Sequence, residues 1–358
     1  MKFNLVSLEL FLPAFLLSIL GLFVVLSIKP DEFNSQLTFT ILGILIFACL
    51  SIIDFTVLTA LFPYLYLIQI VLLLITLLVG SNIRGSQRWI NLGGLYLQTS
   101  EMMKPILVAG ISYLGSQLNL KKYSHFLLSL VLVGVPALLI FIQPDLGSTI
   151  IVVSIGLFLV LALAPAKSFV FLSVLAVAIT LPVLWSCLKP YQKMRVSTFL
   201  NPQADPLGAS YNQIQAIIAA GSGGIFGKGL GKGTQSHLQF LPEKHTDFFF
   251  ASLAEELGFV GSSIVILLFT ILCAQLLILV SKCREQRLRL LFLGVFVMIF
   301  LQAGIHIGIN LGLLPVTGIT LPFLSVGGSS ITASWFALGL ASSAIKDVKP
   351  REAIFLSH

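Results

Sequence analysis

FFFASLAEELGFVGSSIVILLFTILCAQLLILV, residues 248–280, is the stretch that decides the fold. A helix of ~17 to 25 mostly apolar residues crosses a ~30 Å hydrocarbon core. This run is longer, so it reads as a membrane-spanning helix whose first turns begin outside the hydrocarbon. Similar runs recur on either side: Phe11 to Ile28, Leu37 to Ile53, Phe55 to Gly80, Met102 to Leu118, Phe126 to Ile142, Thr149 to Ala164, Phe169 to Leu188, Leu290 to Leu311 and Ile331 to Ile345. The runs at Thr149 and Ile331 are short. The 358 residues are 57% hydrophobic and 10% charged, with mean hydropathy +1.03, whereas soluble domains are about 25% charged. An ordinary soluble enzyme is excluded. Barrel strands would be shorter and alternating, so the expected fold is an all-α polytopic membrane protein of about ten transmembrane helices.

Lys2 alone precedes the first run, and no small-residue cleavage site follows it, so it reads as a retained span. Cys49, Cys187, Cys273 and Cys283 lack metal or disulfide spacing and read as small buried hydrophobes. An even number of spans puts both termini on one side. Lys121, Lys122, Lys167, Lys282, Arg284, Arg287, Arg289, Lys346, Lys349 and Arg351 then share a face, which the positive-inside rule makes cytoplasmic. Two outer segments break that rule. The loop 81–98 carries Arg84 and Arg88, and the large extracytoplasmic loop 189–247 carries Lys189, Lys193, Arg195, Lys228, Lys232 and Lys244. Long loops translocate regardless of charge; alternatively, external cations on a chain of net charge +7 await an anionic lipid or phosphate.

Polar residues collect in FLPEKHTDFFFASLAEELGFVG, residues 240–261, where His245, Thr246 and Asp247 meet the membrane edge. Asp247 reads as an interfacial helix cap or as a functional carboxylate, because ionisable groups at membrane depth are costly. Glu255 and Glu256, two turns deeper, require water or partners, such as a cation from another span. In GSQRWINLGGLYLQTSEMMKP, residues 85–105, Thr99 or Ser100 can cap the following helix, and Glu101 and Lys104 share a face. They can simply pair, but a lysine near a helix start opposes the dipole, which favours contact with an anion. Trp89 also fits an ordinary interfacial tryptophan. In QPDLGST, residues 143–149, Asp145 is either a turn residue or part of a polar cavity with Glu101 and Asp247. GSGGIFGKGLGKGTQ, residues 221–235, has the glycine density of a phosphate cradle without the Walker spacing. A flexible loop and lipid headgroup contact are its other readings.

Together RWINLGG, QTSEMMKP, QPDLGST, FLNPQADPLGASYNQIQAIIAAGSGGIFGKGLGKGTQ, FLPEKHTDFFFASLAEELG and INLGLLPVTGITLPFLSVGGSS resemble the SEDS family of bacterial cell-wall polymerases, in the family's order and across nearly the whole chain as one domain, 1–358. The LAEELG and DPLGASYNQIQ stretches are closer to the RodA branch than to the FtsW branch. Thr99 stands where the family usually has Pro, and Val326 where Tyr is usual. The resemblance implies polymerisation of lipid II into glycan strands for elongation and shape, on the outer face of the bacterial cytoplasmic membrane, with release of undecaprenyl diphosphate. It puts the essential carboxylate on Asp247 and places Glu101, Lys104 and Asp145 with it.

A carboxylate that takes the proton of an acceptor hydroxyl accelerates attack on an anomeric carbon, the role expected of Asp247. Direct displacement of the diphosphate predicts inversion, by the geometry of inverting glycosidases. The leaving diphosphate needs positive charge, for which Lys104 and Arg88 are candidates, with Lys232 and Lys244 behind them. Trp89, Asp145, His245 and Thr246 complete the expected substrate-binding set. No tightly bound cofactor is expected; a divalent cation such as Mg2+, held through water and substrate oxygens, stays open. The resemblance also implies a class B penicillin-binding transpeptidase as partner, with other elongation-complex membrane proteins as candidates and no nucleic acid. A lipid II flippase is the rival reading. Transport needs alternating access to a midplane site, whereas these polar groups gather at the outer edge.

Overall fold

The computed structural model describes residues 5–83, 86–93, 95–117, 123–163, 185–186, 188–206, 208 and 210–348. The helices are α1 (Leu5–Ile28), α2 (Phe33–Ile52), α3 (Phe55–Val79), α4 (Thr99–Gln117), α5 (Tyr123–Ile142), α6 (Leu146–Ala162), α7 (Pro190–Leu200), α8 (Tyr211–Ser222), α9 (Phe249–Lys282), α10 (Gln286–Asn310) and α11 (Gly328–Ala344). Among the described residues, α1, α2, α3, α5, α9 and α10 are long and apolar enough to cross a membrane, and α6 is a shorter apolar helix. The chain is therefore a mostly helical, polytopic membrane protein. With α4 and α11, nine of the expected spans coincide with helices of the described residues. The expected span from Phe169 to Leu188 falls almost wholly outside the described residues, as do Arg84, Lys121, Lys122, Lys167, Cys187, Lys349 and Arg351.

Lipid tails are as apolar as leucine, so helix association in a bilayer rests on close packing rather than on burial from water. Small residues provide it here. A Cβ on Gly43 of α2 would meet the Trp335 indole of α11 at 2.5 Å, and one on Gly294 of α10 would meet Val108 of α4 at 2.5 Å. Trp335 is fully buried, with Phe11, Phe47 and Phe323 ring centroids 5.7, 5.7 and 5.4 Å away. Aromatic pairs of this kind contribute about 0.5–1.5 kcal/mol each beyond their area.

Two sequence expectations need correction. Residues 81–98 were expected as loop in an all-α fold, but they form an antiparallel sheet of β1 (Ser81–Ile83), β2 (Ser86–Leu92) and β3 (Leu95–Gln98). Trp89 pairs with Gln98, and Leu92 with Leu95, so the sheet runs directly into α4. The second concerns Cys49, which is exposed on α2 while Cys273 and Cys283 are buried; an outward face of a membrane helix accommodates a thiol as readily as a core does.

The two ends of the bundle differ in chemistry. At one end Arg287 packs over the Phe55 ring at 5.3 Å and pairs with Glu285 at 2.9 Å, and Lys346 donates to the Ile52 carbonyl. The sheet, Asp145, Asp247 and the segment between α7 and α9 lie at the other.

Helix α9 is not continuous. Gly258 has φ +66°, ψ −162°, a region open to glycine and strained for other residues. In an unbroken helix the amides of Phe259 and Val260 would bond the carbonyls of Glu255 and Glu256. Instead Phe259 donates to the Gly224 carbonyl at 2.8 Å and Val260 to that of Ile225 at 3.0 Å, while the Glu255 carbonyl accepts from the Lys228 amide and the Glu256 carbonyl from the Gly229 amide, both at 3.0 Å. The glycine-rich segment is spliced into the helix, so it is anchored backbone rather than the flexible loop of the bland sequence reading. A Cβ on Gly258 would lie 2.2 Å from the Gly227 amide nitrogen. Gly258→Ala is expected to cost on the order of 1–3 kcal/mol, seen as a lower thermal midpoint and faster proteolysis between residues 224 and 235. An unchanged midpoint and cleavage pattern would contradict the splice.

Candidate active site

Asp145 is where three elements meet. It precedes α6 and caps it, its Oδ1 accepting from the Ser148 amide at 3.2 Å, as an aspartate at a helix start should. Its Oδ2 accepts from Gln98 Nε2 at 2.9 Å, at the end of β3, and from Ser100 Oγ at 3.0 Å, in the first turn of α4. Arg88 of β2 pairs with Oδ1 at 3.4 Å; its side chain is 19% exposed and that of Asp145 only 3%. A carboxylate this buried needs both donors and a countercharge, and Asp145 has them. Asp145 is thus the cap residue of one sequence reading, set in a polar cluster of Gln98, Ser100 and Arg88; none of these contacts is to Glu101 or Asp247. Ser100 and Thr99 were expected as alternative helix caps, but their hydroxyls reach across to Asp145 and to Thr76 of α3.

One helical turn further, Lys104 Nζ donates to Glu101 Oε1 at 2.6 Å, with side-chain exposures of 1% and 7%. The i, i+3 spacing thus forms the pair that sequence allowed. The second oxygen of Glu101, and both amide atoms of Gln302 on α10, have no partner among the described residues. Helices α4 and α10 run antiparallel, with Ser112 bonded to the Arg287 carbonyl and Gly294 against Val108. That register brings Gln302 near the level of the first turn of α4.

Asp247 stands partly exposed just before α9. Its position is set by α10. Asn310 Nδ2 donates to the Asp247 carbonyl at 3.1 Å, and Asn310 Oδ1 accepts from the Ala251 amide at 2.9 Å. One turn earlier, the buried His306 lies 2.7 Å from the Ile319 carbonyl through Nδ1 and accepts from the Phe250 amide at 3.4 Å through Nε2. A carbonyl only accepts, so the proton of this imidazole sits on Nδ1. These two residues satisfy two of the free amides of the first turn of α9, those of Phe250 and Ala251, which would otherwise be costly at membrane depth. Sequence reasoning passed over them, although the four-residue spacing of two polar groups in an apolar run was a usable signal. Asn310→Ala is expected to lower turnover by about 10- to 100-fold through misplacement of Asp247 with little change in KM, readable in steady-state kinetics.

The segment from Thr317 to Val326, between α10 and α11, ties these pieces together. A Cβ on Gly147, beside Asp145, would meet the Thr317 carbonyl at 2.7 Å, and one on Gly318 would lie 3.6 Å from Asp247 Oδ2. Val326 donates to the His245 carbonyl at 2.9 Å and Ser325 Oγ to the Thr246 carbonyl at 3.1 Å, while just beyond the segment, in the first turn of α11, Ser329 Oγ accepts from the Gln98 amide at 2.9 Å. His245 and Thr246 are therefore held through their backbone. Trp89 lies in β2, half-buried. Helix α7 lies against the same region, Tyr191 donating to the Pro144 carbonyl at 3.2 Å and Arg195 to that of Val316 at 3.4 Å.

The remaining predicted cations belong to a second cluster. Lys244 donates to the Ser236 carbonyl, and burial pulls its ammonium below the ordinary lysine value, helped by Lys29 and opposed by Glu256 and Glu255. Ser236 in turn bonds Glu255 through both amide and hydroxyl, and Glu255 pairs with Lys228 at 2.9 Å. Glu256 accepts from Ser27 of α1 at 2.6 Å and lies 2.8 Å from His237. Glu255 is thus paired with a cation of the outer segment rather than of another span, and Glu256 is held by His237 of that segment and by Ser27 of α1. Lys232 is exposed on that segment. Among the described residues no three His, Cys, Asp or Glu side chains converge as metal ligands.

Residues 8–349 match a family model described as a cell cycle protein and named for FtsW, RodA and SpoVE. The peptidoglycan glycosyltransferase MrdB of Escherichia coli strain K12 is 40% identical over 285 residues, 78% of this chain and 76% of its own. A chain from a peptidoglycan synthase complex, solved to describe the coordination of polymerization and crosslinking, superimposes with a TM-score of 0.81 at 30% identity, covering 94% of this chain and 97% of that one. The rod shape determining protein RodA of Thermus thermophilus gives 0.72 at 26% identity, covering 96% and 97%.

Proposed function

Because this chain belongs to the family of FtsW, RodA and SpoVE, we infer that it is a peptidoglycan glycosyltransferase that polymerises lipid II with Asp247 as general base. The observation that carries the residue assignment is the convergence of the Asp145 and Asp247 elements on the one segment between α10 and α11, with Gln98 held by Ser329 in the first turn of α11.

In this reading the acceptor hydroxyl gives its proton to Asp247 as its oxygen bonds the donor's anomeric carbon. The bond from that carbon to the lipid diphosphate breaks with inversion. Proton transfer of this kind is worth ~10²- to 10⁴-fold. The departing diphosphate carries its own negative charge and needs positive groups rather than a proton. Arg88 is the more exposed member of its pair with Asp145 and meets the diphosphate first. Lys104, held by Glu101, places a second cation beneath it. Lys232 and Lys244 act further out, on the side of the twin glutamates.

The site faces outward and both termini are cytoplasmic. The support is charge asymmetry, since Arg284, Arg287, Arg289 and Lys346 gather at the opposite end. A class B penicillin-binding transpeptidase cross-links the product strands, a pairing supported by the likeness to a chain of a peptidoglycan synthase complex. Incubation of purified protein with labelled lipid II, alone and with its transpeptidase, tests the reading. Glycan strands on a denaturing gel are the expected product. Lipid II translocation across liposomes without any polymer would transfer the assignment to a flippase.

A further inference from the structure

Residues 224–229 are fixed at the height of the α9 kink by the four backbone bonds that replace the helix's own. That height can be measured along the span. From Gly258 to Lys282 α9 extends for ~37 Å at 1.5 Å per residue, about 35 Å along the bilayer normal at an ordinary tilt of ~20°, a few ångströms more than a ~30 Å hydrocarbon core. With Lys282 at the inner boundary, Gly258 therefore lies at the outer junction of acyl chains and headgroups. The end of α1 agrees, since Ser27 Oγ accepts from the Gly231 amide at 2.8 Å and α1 ends at Ile28.

At this height the spliced segment turns apolar side chains outward. Phe226 is 82% exposed and Ile225 64%, beside Phe259 at 70%. These continue the outward face of α9 formed by Val260, Ile264, Leu267 and Ile271, all exposed. That face is apolar because acyl chains cover it. The exposed Lys232 lies a few residues along the same segment, where an ammonium meets headgroup phosphate. Aromatic and aliphatic side chains flanked by a lysine match the composition of interfacial anchors.

We propose that Ile225 and Phe226 form a wedge inserted into the outer leaflet, fixing the extracytoplasmic segment before α9 at the membrane surface. The occupant of this face is lipid rather than another protein. The inference does not rest on the reaction assigned above. Cys49, Cys187, Cys273 and Cys283 are replaced, a nitroxide is placed at Phe226→Cys, and the protein is put in nanodiscs containing phosphatidylglycerol. Collision with oxygen and with a water-soluble nickel chelate then reports depth, with labels at Ile264→Cys and Gln203→Cys as the lipid and water references. A position-226 label that resembles Ile264, with nickel collisions lost, supports the wedge, provided the profile persists when the transpeptidase is added. A label that collides with nickel as Gln203 does, or is shielded from both reagents with or without the partner, overturns it. Phe226→Trp in the otherwise native chain gives an independent reading: brominated phospholipids quench the added fluorescence if the wedge is inserted and leave it unchanged if it is not.

Discussion

Asp247→Asn protein is expected to polymerise lipid II ~10²- to 10⁴-fold more slowly than wild type, a barrier increase of about 2.7 to 5.5 kcal/mol. The substitution keeps shape and removes only the proton acceptor. Asn310 grips the Asp247 backbone carbonyl rather than its side chain, so that contact and the start of α9 persist. The variant should melt at the wild-type temperature and bind donor with unchanged affinity. Asp247→Glu, which retains a carboxylate on a longer arm, should recover part of the rate. A loss smaller than tenfold in the Asn variant would falsify the assignment of the base.

The second large effect is expected at the ion pair in α4. Lys104→Met leaves Glu101 buried without its cation, and removing one partner of a buried pair costs about 3–5 kcal/mol. The thermal midpoint should fall sharply. Glu101→Gln in the same chain removes the stranded charge and should restore most of the midpoint, because the pair's net contribution is small when both members go together. Stability and catalysis then separate. The double variant is expected to fold well and still show an increased KM for lipid II, since the cation beneath the diphosphate is gone. A double variant with wild-type kinetics would assign Lys104 to folding alone.

The spans were legible because a bilayer imposes a length and an apolar composition on any helix that crosses it, which a single sequence displays. The sheet was not. SQRWINL and LYLQ are short and broken by Gly93 and Gly94, and their pairing depends on the α4 and α11 segments against which they lie. Asp247 and Asp145 could be singled out as carboxylates at span ends, but sequence does not say that a single segment after α10 supports both. Glu255 and Glu256 stood out as charges in an apolar run. Their partners did not, because Lys228, Ser236, His237, Ser27 and the amides of Gly231, Gln235 and Ser236 reach them only when the fold brings a distant segment alongside.

The splice at Gly258 makes α9 two rods sharing one joint, the lower in lipid and the upper reaching to the Asp247 segment. Four hydrogen bonds to residues 224–229 hold the joint. A thinner bilayer increases the tilt of a span that is longer than its hydrocarbon, and the joint passes that torque to the upper rod. Bilayer thickness is thereby expected to set the orientation of the segment that carries Asp247. Turnover in nanodiscs of graded acyl length should pass through a maximum, which the Gly258→Ala joint would shift or flatten.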